Sequence, residues 1–178
     1  MILAGDIGGT KTRLGLFDTR TERPTAVVTR SFPTLDYPGL PEMIADFVRN
    51  PQVHDADLTA ACFGVAGPVM DDEAQLTNVP WRVSARAVER SLALRRAALL
   101  NDLQAMAYSV PVLQPNELHT VQNGQALRGG NMALIAAGTG LGQALLHNVD
   151  GQFIPSPSEG GHADNAARTE RDVKVLRD

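Results

Sequence analysis

The chain has 178 residues, 43% of them hydrophobic, and this length suffices for one domain or for one domain with part of a second. Its 16 basic and 20 acidic residues are spread along the chain and give a net charge of −4, which argues against nucleic-acid and membrane partners. The single cysteine, Cys62, excludes a disulfide framework. No apolar stretch approaches the roughly 20 residues that span a bilayer, so we expect a cytoplasmic protein.

The first third of the chain predicts an antiparallel meander of three strands. Strand-like stretches lie at residues 2–6, 12–17 and 26–32, separated by a glycine turn and by the polar segment "DTRTERP". Residues 37–50 follow with apolar positions at helical spacing, and "NP" is expected to end this helix. A helix packed on one face of a sheet is the simplest interpretation.

Strand and helix patterns then alternate. Residues 57–68 form a near-continuous apolar run, which predicts a strand covered on both faces that Gly64, Gly67 and Pro68 end in a loop. We next predict a helix in 84–94, a short strand in 96–100 and a helix in 101–113, broken at Pro111. This order indicates a layered α/β domain of about 110 residues.

The segment of residues 131–148 repeats the opening pattern of strand, glycine turn and strand. A further short strand is predicted around Phe153, then the loop "SPSEGGHADNA" and a charged helix from about Thr169. We therefore divide the chain into a small α/β domain, residues 1–111, and the first part of a larger α/β domain, residues 112–178. The second part contains too few elements to close a core of its own.

The turn after the first strand has the composition of a phosphate-binding loop. Gly8 and Gly9 allow a backbone to approach a ligand closely, and successive N–H groups suit phosphate oxygens. Asp6 is placed to hold a hydrated Mg²⁺, while Thr10 and Lys11 add a hydroxyl and a positive charge. The alternative is an ordinary hairpin that contains Asp and Gly. A second glycine turn, "GTGLG", favours the functional interpretation.

Two further groups of polar residues are candidates for substrate chemistry. Asp102 follows Asn101 at the end of a predicted strand, where it is either a general base or the N-cap of the next helix. Glu159 and His162 flank a Gly-Gly turn, and their side chains suit sugar hydroxyls. Zinc is a competing ligand, but one His and one Glu make a poor zinc site.

Residues 67–81 contain Asn78 and the only tryptophan, Trp81. We interpret Trp81 as a core anchor within a hairpin, and Asn78 as a side chain able to reach the cleft. The acidic pair of Asp71 and Asp72 is interpreted as a solvated turn.

Six short motifs together resemble the bacterial glucokinases, within the superfamily of sugar kinases, heat-shock ATPases and actin. They are "GDIGGT" (5–10), "GVAGPV" (64–69), "TNVPW" (77–81), "LLNDLQA" (99–105), "AAGTGLG" (136–142) and "EGGHAD" (159–164). They occur in the family's order and spacing over essentially the whole chain, and the set is specific although each motif alone is weak.

The resemblance implies a ribonuclease-H-like, actin-type ATPase fold: a three-strand antiparallel meander extended by parallel strands, with helices on both faces, plus the start of a second, similar domain. It also implies ATP-dependent phosphorylation of glucose at its 6-hydroxyl in a cleft between two domains, with ATP and Mg²⁺ as cofactors. A homodimer is unsurprising by the same resemblance.

The matching positions imply roles for individual residues. Asp102 is the base, and the sugar-binding residues are Asn78, Asn101, Asp102, Glu159 and His162. The nucleotide side is assigned to Gly5, Asp6, Ile7, Gly8, Gly9, Thr10, Gly138, Thr139 and Gly140, with Asp6 near Mg²⁺.

Three departures from the family pattern qualify the resemblance. Lys11 stands where many bacterial glucokinases have Asn, and Asn165 follows "HAD" where an aromatic residue is usual. The chain also ends soon after "EGGHAD", so a further sugar-binding glutamate, the adenosine pocket and a C-terminal helix are expected to be missing. The alternative function is therefore an inactive fragment or a sugar-sensing or interaction module. An actin-like or chaperone-type ATPase leaves "NDLQA" and "EGGH" unexplained.

Overall fold

The computed structural model describes residues 1–21, 23–76, 79–138, 141–158, 160–163 and 168–175, with the backbone alone for His162 and Val175. The strands are β1 (Ile2–Ile7), β2 (Lys11–Asp18), β3 (Thr25–Pro33), β4 (Ala60–Val65), β5 (Val69–Met70), β6 (Glu73–Gln75), β7 (Arg82–Ser84), β8 (Ala97–Asn101), β9 (Met132–Ala137), β10 (Leu141–Val149) and β11 (Gln152–Ser158). The helices are α1 (Leu40–Val48), α2 (Pro51–His54), α3 (Ala85–Leu92), α4 (Asp102–Ser109) and α5 (Glu170–Val175), with 3₁₀ turns at Thr34–Asp36, Val110–Val112, Pro115–Glu117 and Gly160–His162.

The first sheet has the strand order β3-β2-β1-β4-β8. Its antiparallel part, β1 to β3, confirms the predicted meander, and β4 and β8 extend it in parallel. Leu14 and Leu16 of β2 are fully buried, whereas Lys11 and Arg13 are exposed. This alternation fixes which face of the sheet carries the core.

Helices cover both faces of this sheet, as the resemblance implies. The apolar stripe of α1 packs on one face and consists of Leu40, Met43, Ile44 and Phe47. Burial of each such side chain contributes roughly 1.5–3 kcal/mol. Phe47 meets Phe32 of β3 edge to face, with ring centroids 6.3 Å apart. α4 lies on the opposite face.

The "NP" pair follows the end of α1, as predicted, but it also begins α2, because the Asn50 side chain caps that short helix.

A second, small sheet of order β5-β6-β7 lies beside the core. The sequence indicated only a hairpin here. Trp81 is 3% exposed and donates its indole N–H to the carbonyl of Tyr37 at 3.2 Å, which confirms it as a core anchor. Asp71 and Asp72 join β5 to β6 with positive φ values of 52° and 61°, and both are exposed, so the predicted solvated turn is also confirmed.

The third sheet has the order β11-β10-β9 and confirms the two strands of the repeated pattern, β9 and β10. β11 is longer than the short strand that was predicted around Phe153. The buried residues of this region are Ala107, Ala144 and Leu146, so α4 packs on this sheet as well. The division of the chain at residues 111 and 112 stays a prediction. None of the helices in the described ranges is long and apolar enough to span a bilayer.

Candidate active site

Two carboxylates meet at the carboxyl-terminal edge of the first sheet. Asp6 lies near the end of β1, and Asp102 directly follows β8. β4 separates these two strands and runs parallel to both, so all three end at the same edge. Ligands of open α/β sheets bind at this edge, which makes the pair the centre of a candidate site.

Gly64 allows α4 to approach the sheet between the two carboxylates. It pairs with Asp6 across β1 and β4. A Cβ atom at Gly64 would lie 3.2 Å from the Cβ of Ala105 and 3.8 Å from the Cα of Asp102. The sequence analysis placed Gly64 in the loop after β4, whereas it lies inside the strand. A glycine within an apolar strand pattern is itself a sign of close backbone approach.

Asn101, and not Asp102, is the N-cap of α4. Its Oδ1 accepts hydrogen bonds from the N–H groups of Leu103 at 3.0 Å and Gln104 at 3.4 Å. Its Nδ2 donates to the carbonyl of Gly67 at 3.2 Å. The N-cap alternative for Asp102 is therefore wrong, because its neighbour already satisfies the free N–H groups of the first turn.

Asp102 keeps one carboxylate oxygen available. Its Oδ1 accepts from the N–H of Leu103 at 2.8 Å, while its Oδ2 has no partner within the described part of the chain. The residue is half-buried in the first turn of α4, where the helix dipole favours a negative charge. A half-buried, oriented carboxylate with one free oxygen is suited to accept a proton.

The electrostatics of Asp6 reflect the same arrangement. Although much of the residue is exposed, partial burial of its carboxyl raises the pKa of Asp6, and the charge of Asp102 raises it further. Arg13, its register partner on β2, opposes both effects and lowers the pKa. Two like charges held close together are typical of a site that binds a cation.

The turn between β1 and β2, residues 8–10, is here named the glycine loop. The N–H of Gly8 donates to the carbonyl of Lys11 at 3.2 Å. A Cβ atom at Gly8 would lie 2.9 Å from that oxygen, so the turn requires glycine. The N–H groups of Gly9 and Thr10 have no acceptor among the residues that the structure describes. Such N–H groups in a turn form an anion-binding concavity.

Gly5 and Ile7 offer a ligand little beyond their backbones. A Cβ atom at Gly5 would lie 2.6 Å from Cδ1 of Phe63, so core packing accounts for this glycine. The Ile7 side chain is fully buried. Their predicted contacts with a nucleotide stay predictions.

The remaining predicted site residues lie at or outside the limits of the described chain. Gly138 directly follows β9, and His162 ends a 3₁₀ turn, with its side chain undescribed. The others, Asn78, Thr139, Gly140 and Glu159, lie outside the described residues. Their roles stay predictions as well.

α4 joins the carboxylate edge to the third sheet. A Cβ atom at Gly142, near the start of β10, would lie 2.9 Å from the side chain of Leu103. The Gln104 amide donates to the carbonyl of Pro155 in β11 at 3.4 Å. One helix therefore carries Asp102 and also contacts the strand that follows the second glycine turn.

Known proteins are similar in sequence to almost the whole chain. The glucokinase family model matches residues 3–178. A glucokinase from Trichormus variabilis is 36% identical over an alignment of 178 positions, which covers 99% of this chain and 52% of the relative. The chain thus spans about half the length of the curated relatives it matches.

Solved structures give the same result. The crystal structure of a glucokinase from an Antarctic psychrotroph superposes with a TM-score of 0.84 at 31% identity, covering 99% of this chain and 55% of that one. A ROK family glucokinase from Streptomyces griseus, solved in complex with glucose and AMPPNP, has a TM-score of 0.58 at 24% identity, covering 89% of this chain and 49% of that one, and shows the shared fold.

Proposed function

This chain belongs to the glucokinase family, and on that premise we propose that it takes part in ATP-dependent phosphorylation of glucose at the 6-hydroxyl. The observation that carries the proposal is the convergence of Asp6 and Asp102 beside the glycine loop. Phosphoryl transfer needs a base for the attacking hydroxyl and electrostatic stabilisation of the phosphates. A carboxylate can serve as the base, and the other carboxylate and the free N–H groups can stabilise the phosphates.

Asp102 acts as the base. Its free Oδ2 takes the proton of the 6-hydroxyl as that oxygen attacks the γ-phosphorus of ATP, whose bond to the bridging oxygen breaks to release ADP. The hydrogen bond from the N–H of Leu103 orients the carboxylate. The cap by Asn101 fixes the first turn of α4 and so fixes the base. General-base catalysis of this kind contributes roughly 10²–10⁴-fold to the rate.

Asp6 and the glycine loop serve the phosphates. The carboxylate of Asp6 fits a hydrated Mg²⁺, which takes one or two carboxylates and completes its shell with water and phosphate oxygens. When bound, the ion neutralises charge on the transferred phosphate. The N–H groups of Gly9 and Thr10 donate to phosphate oxygens. From the family motif we also assign Gly138, Thr139 and Gly140 to nucleotide binding.

We assign sugar binding to Asn101 and to three residues of the family motifs. Asn101 has a second Nδ2 hydrogen beyond the one given to Gly67, and it is free to reach a hydroxyl. Asn78, Glu159 and His162 complete the set by their motif positions. The Streptomyces griseus relative was solved with glucose and AMPPNP, which supports a sugar and a nucleotide as the ligands.

A cytoplasmic location and a homodimer complete the proposal. The half-buried thiol of Cys62 suits a reducing compartment, and burial raises its pKa. The homodimer rests on the family resemblance alone.

Sugar binding is tested through Trp81, the only tryptophan of the chain. Trp81 is buried and follows Asn78, a proposed sugar-binding residue, by three positions in the sequence. We expect millimolar glucose to change its fluorescence, and we expect Asp102→Ala to weaken this response. An unchanged spectrum at millimolar glucose, in protein shown to be folded, would contradict sugar binding by this chain.

A further inference from the structure

Two hydroxyls are fully buried beneath the glycine loop. Thr12 lies in β2, and Thr34 begins the 3₁₀ turn after β3; the exposed fraction of both residues is 0%. We name them the buried threonine pair. A hydroxyl in such a place loses its hydration, so it needs a specific partner.

The partners of Thr34 are the carbonyls of the glycine loop. Its Oγ1 donates to the carbonyl of Gly8 at 2.8 Å, and its N–H donates to the carbonyl of Thr10 at 3.0 Å. One residue therefore holds the first and last carbonyls of the loop, although it lies 26 positions from Gly8.

The direction of the remaining hydrogen bond follows from proton count. The Oγ1 atoms of Thr12 and Thr34 are 2.9 Å apart. A hydroxyl has one proton, and Thr34 gives its proton to Gly8, so Thr12 donates to Thr34. The chain of donors runs from Thr12 through Thr34 to the loop carbonyl.

This chain of hydrogen bonds sets the direction of a loop N–H. The carbonyl of Gly8 and the N–H of Gly9 belong to one planar trans peptide and point in opposite directions. When Thr34 holds the carbonyl toward the core, the N–H of Gly9 must point away from it. That N–H has no acceptor among the described residues.

We propose that Thr12 and Thr34 are positioning residues that hold the glycine loop with the N–H of Gly9 directed outward for a polyphosphate. This inference rests on the proposed function for the identity of the ligand, but not for the geometry of the loop. Two valines would have the same shape as the two threonines and would fill the core equally well. Packing alone therefore does not explain the two hydroxyl groups.

Three variants separate positioning from packing. Thr34→Val keeps the shape and removes the bond to Gly8, whereas Thr34→Ser keeps the hydroxyl. Val53→Ala is the matched control, because Val53 is a buried residue of α2 in the same core and lies outside the loop. It lowers general stability without touching the loop carbonyls.

Two measurements test the variants: the Kd of Mg·ATP by calorimetry, and the ¹⁵N order parameters of the Gly9 and Thr10 amides without ligand. We expect Thr34→Val to raise the Kd of Mg·ATP about tenfold and to lower the order parameters of the two amides. Thr34→Ser should restore both, and Val53→Ala should lower the melting temperature alone.

The outcomes are distinguishable. Unchanged order parameters and Kd in Thr34→Val would overturn the inference, and so would an equal loss of affinity in Val53→Ala. If the wild-type chain does not bind Mg·ATP while Thr34→Val still loosens the loop, the nucleotide assignment fails and the positioning of the loop by Thr34 stands.

Discussion

Asp6 is held in an environment that opposes its own charge. Partial burial and the nearby Asp102 raise its pKa, and Arg13 compensates in part. The folded state therefore binds this proton more tightly than the unfolded state does. Stability decreases as pH rises from the ordinary pKa of aspartate through the raised value, and above that range the ionised carboxylate destabilises the fold. Such a group is retained for function rather than for stability.

Replacing this charge should stabilise the protein. We expect Asp6→Asn to raise the melting temperature at pH 7, because the amide removes both desolvation of a charge and repulsion from Asp102. The gain should shrink as pH falls toward about 3, where the carboxyl is protonated in both states. Thermal melts of both proteins across this pH range measure the effect. A lower melting temperature for Asp6→Asn at pH 7 would show that Asp6 is structurally favourable.

Some residues of the site can be predicted from sequence and others cannot. Asp6 and the glycine loop are adjacent in the chain, so their composition alone indicates a phosphate site. Thr34 acts on Gly8 across 26 positions, and nothing in its neighbourhood shows that its hydroxyl points at a loop. The sequence left Asp102 as either a base or an N-cap for a similar reason, since both Asn101 and Asp102 are acceptable N-caps.

At the scale of elements, α4 determines where the base lies. Glycines permit its close approach on two sides, Gly64 in β4 and Gly142 in β10. The same helix contributes Ala107 to the core of the third sheet. The position of Asp102 thus depends on packing along the whole helix as well as on its cap.

Adding a methyl group at Gly64 should displace this helix. In Gly64→Ala the new Cβ would lie 3.2 Å from that of Ala105, which is tighter than an ordinary contact. We expect a loss of about 1–3 kcal/mol in the free energy of unfolding and a lower rate of catalysis, as α4 shifts. Denaturant unfolding and steady-state kinetics measure the two effects.

A second substitution provides the control. Gly64→Ala combined with Ala105→Gly removes the opposing methyl group, so activity should return. Stability should not return fully, since glycine within a helix costs about 1 kcal/mol. Equal activity in Gly64→Ala and the wild type would show that the spacing between α4 and β4 has no part in catalysis.

Strands and helices were predicted correctly where the hydrophobic pattern repeats over many residues. The segments of β1 to β3 and of α1 each contain several repeats of their pattern, and the structure confirms these elements. The strands β5 and β6 have two and three residues, which is too short for any period to show. β11 contains Pro155 and Pro157, which weaken its strand signal, but it lies at the edge of its sheet, where proline is tolerated.

At the scale of the molecule, the chain brings the first sheet and the third sheet together. α4 packs on both, and an exposed ion pair adds a link between the β2–β3 connection and the segment after α4. In that pair Arg23 donates to both carboxylate oxygens of Glu117, at 2.7 and 2.8 Å, and the pKa of Glu117 falls to about 2. The carboxylate edge and the glycine loop are thus built within the described residues, while several proposed sugar ligands lie outside them.

The central claim is that Asp102 is the base of a hexose kinase. The most direct test measures glucose-dependent release of ADP from ATP by the 178-residue chain, alongside Asp102→Asn. The control is Asp55→Asn, whose carboxylate is 89% exposed beside α2. We predict turnover that falls by about 100-fold or more in Asp102→Asn and is unchanged in the control. Equal turnover in Asp102→Asn, or no turnover by folded wild-type chain, would contradict the account, and the second result would favour a sugar-binding module.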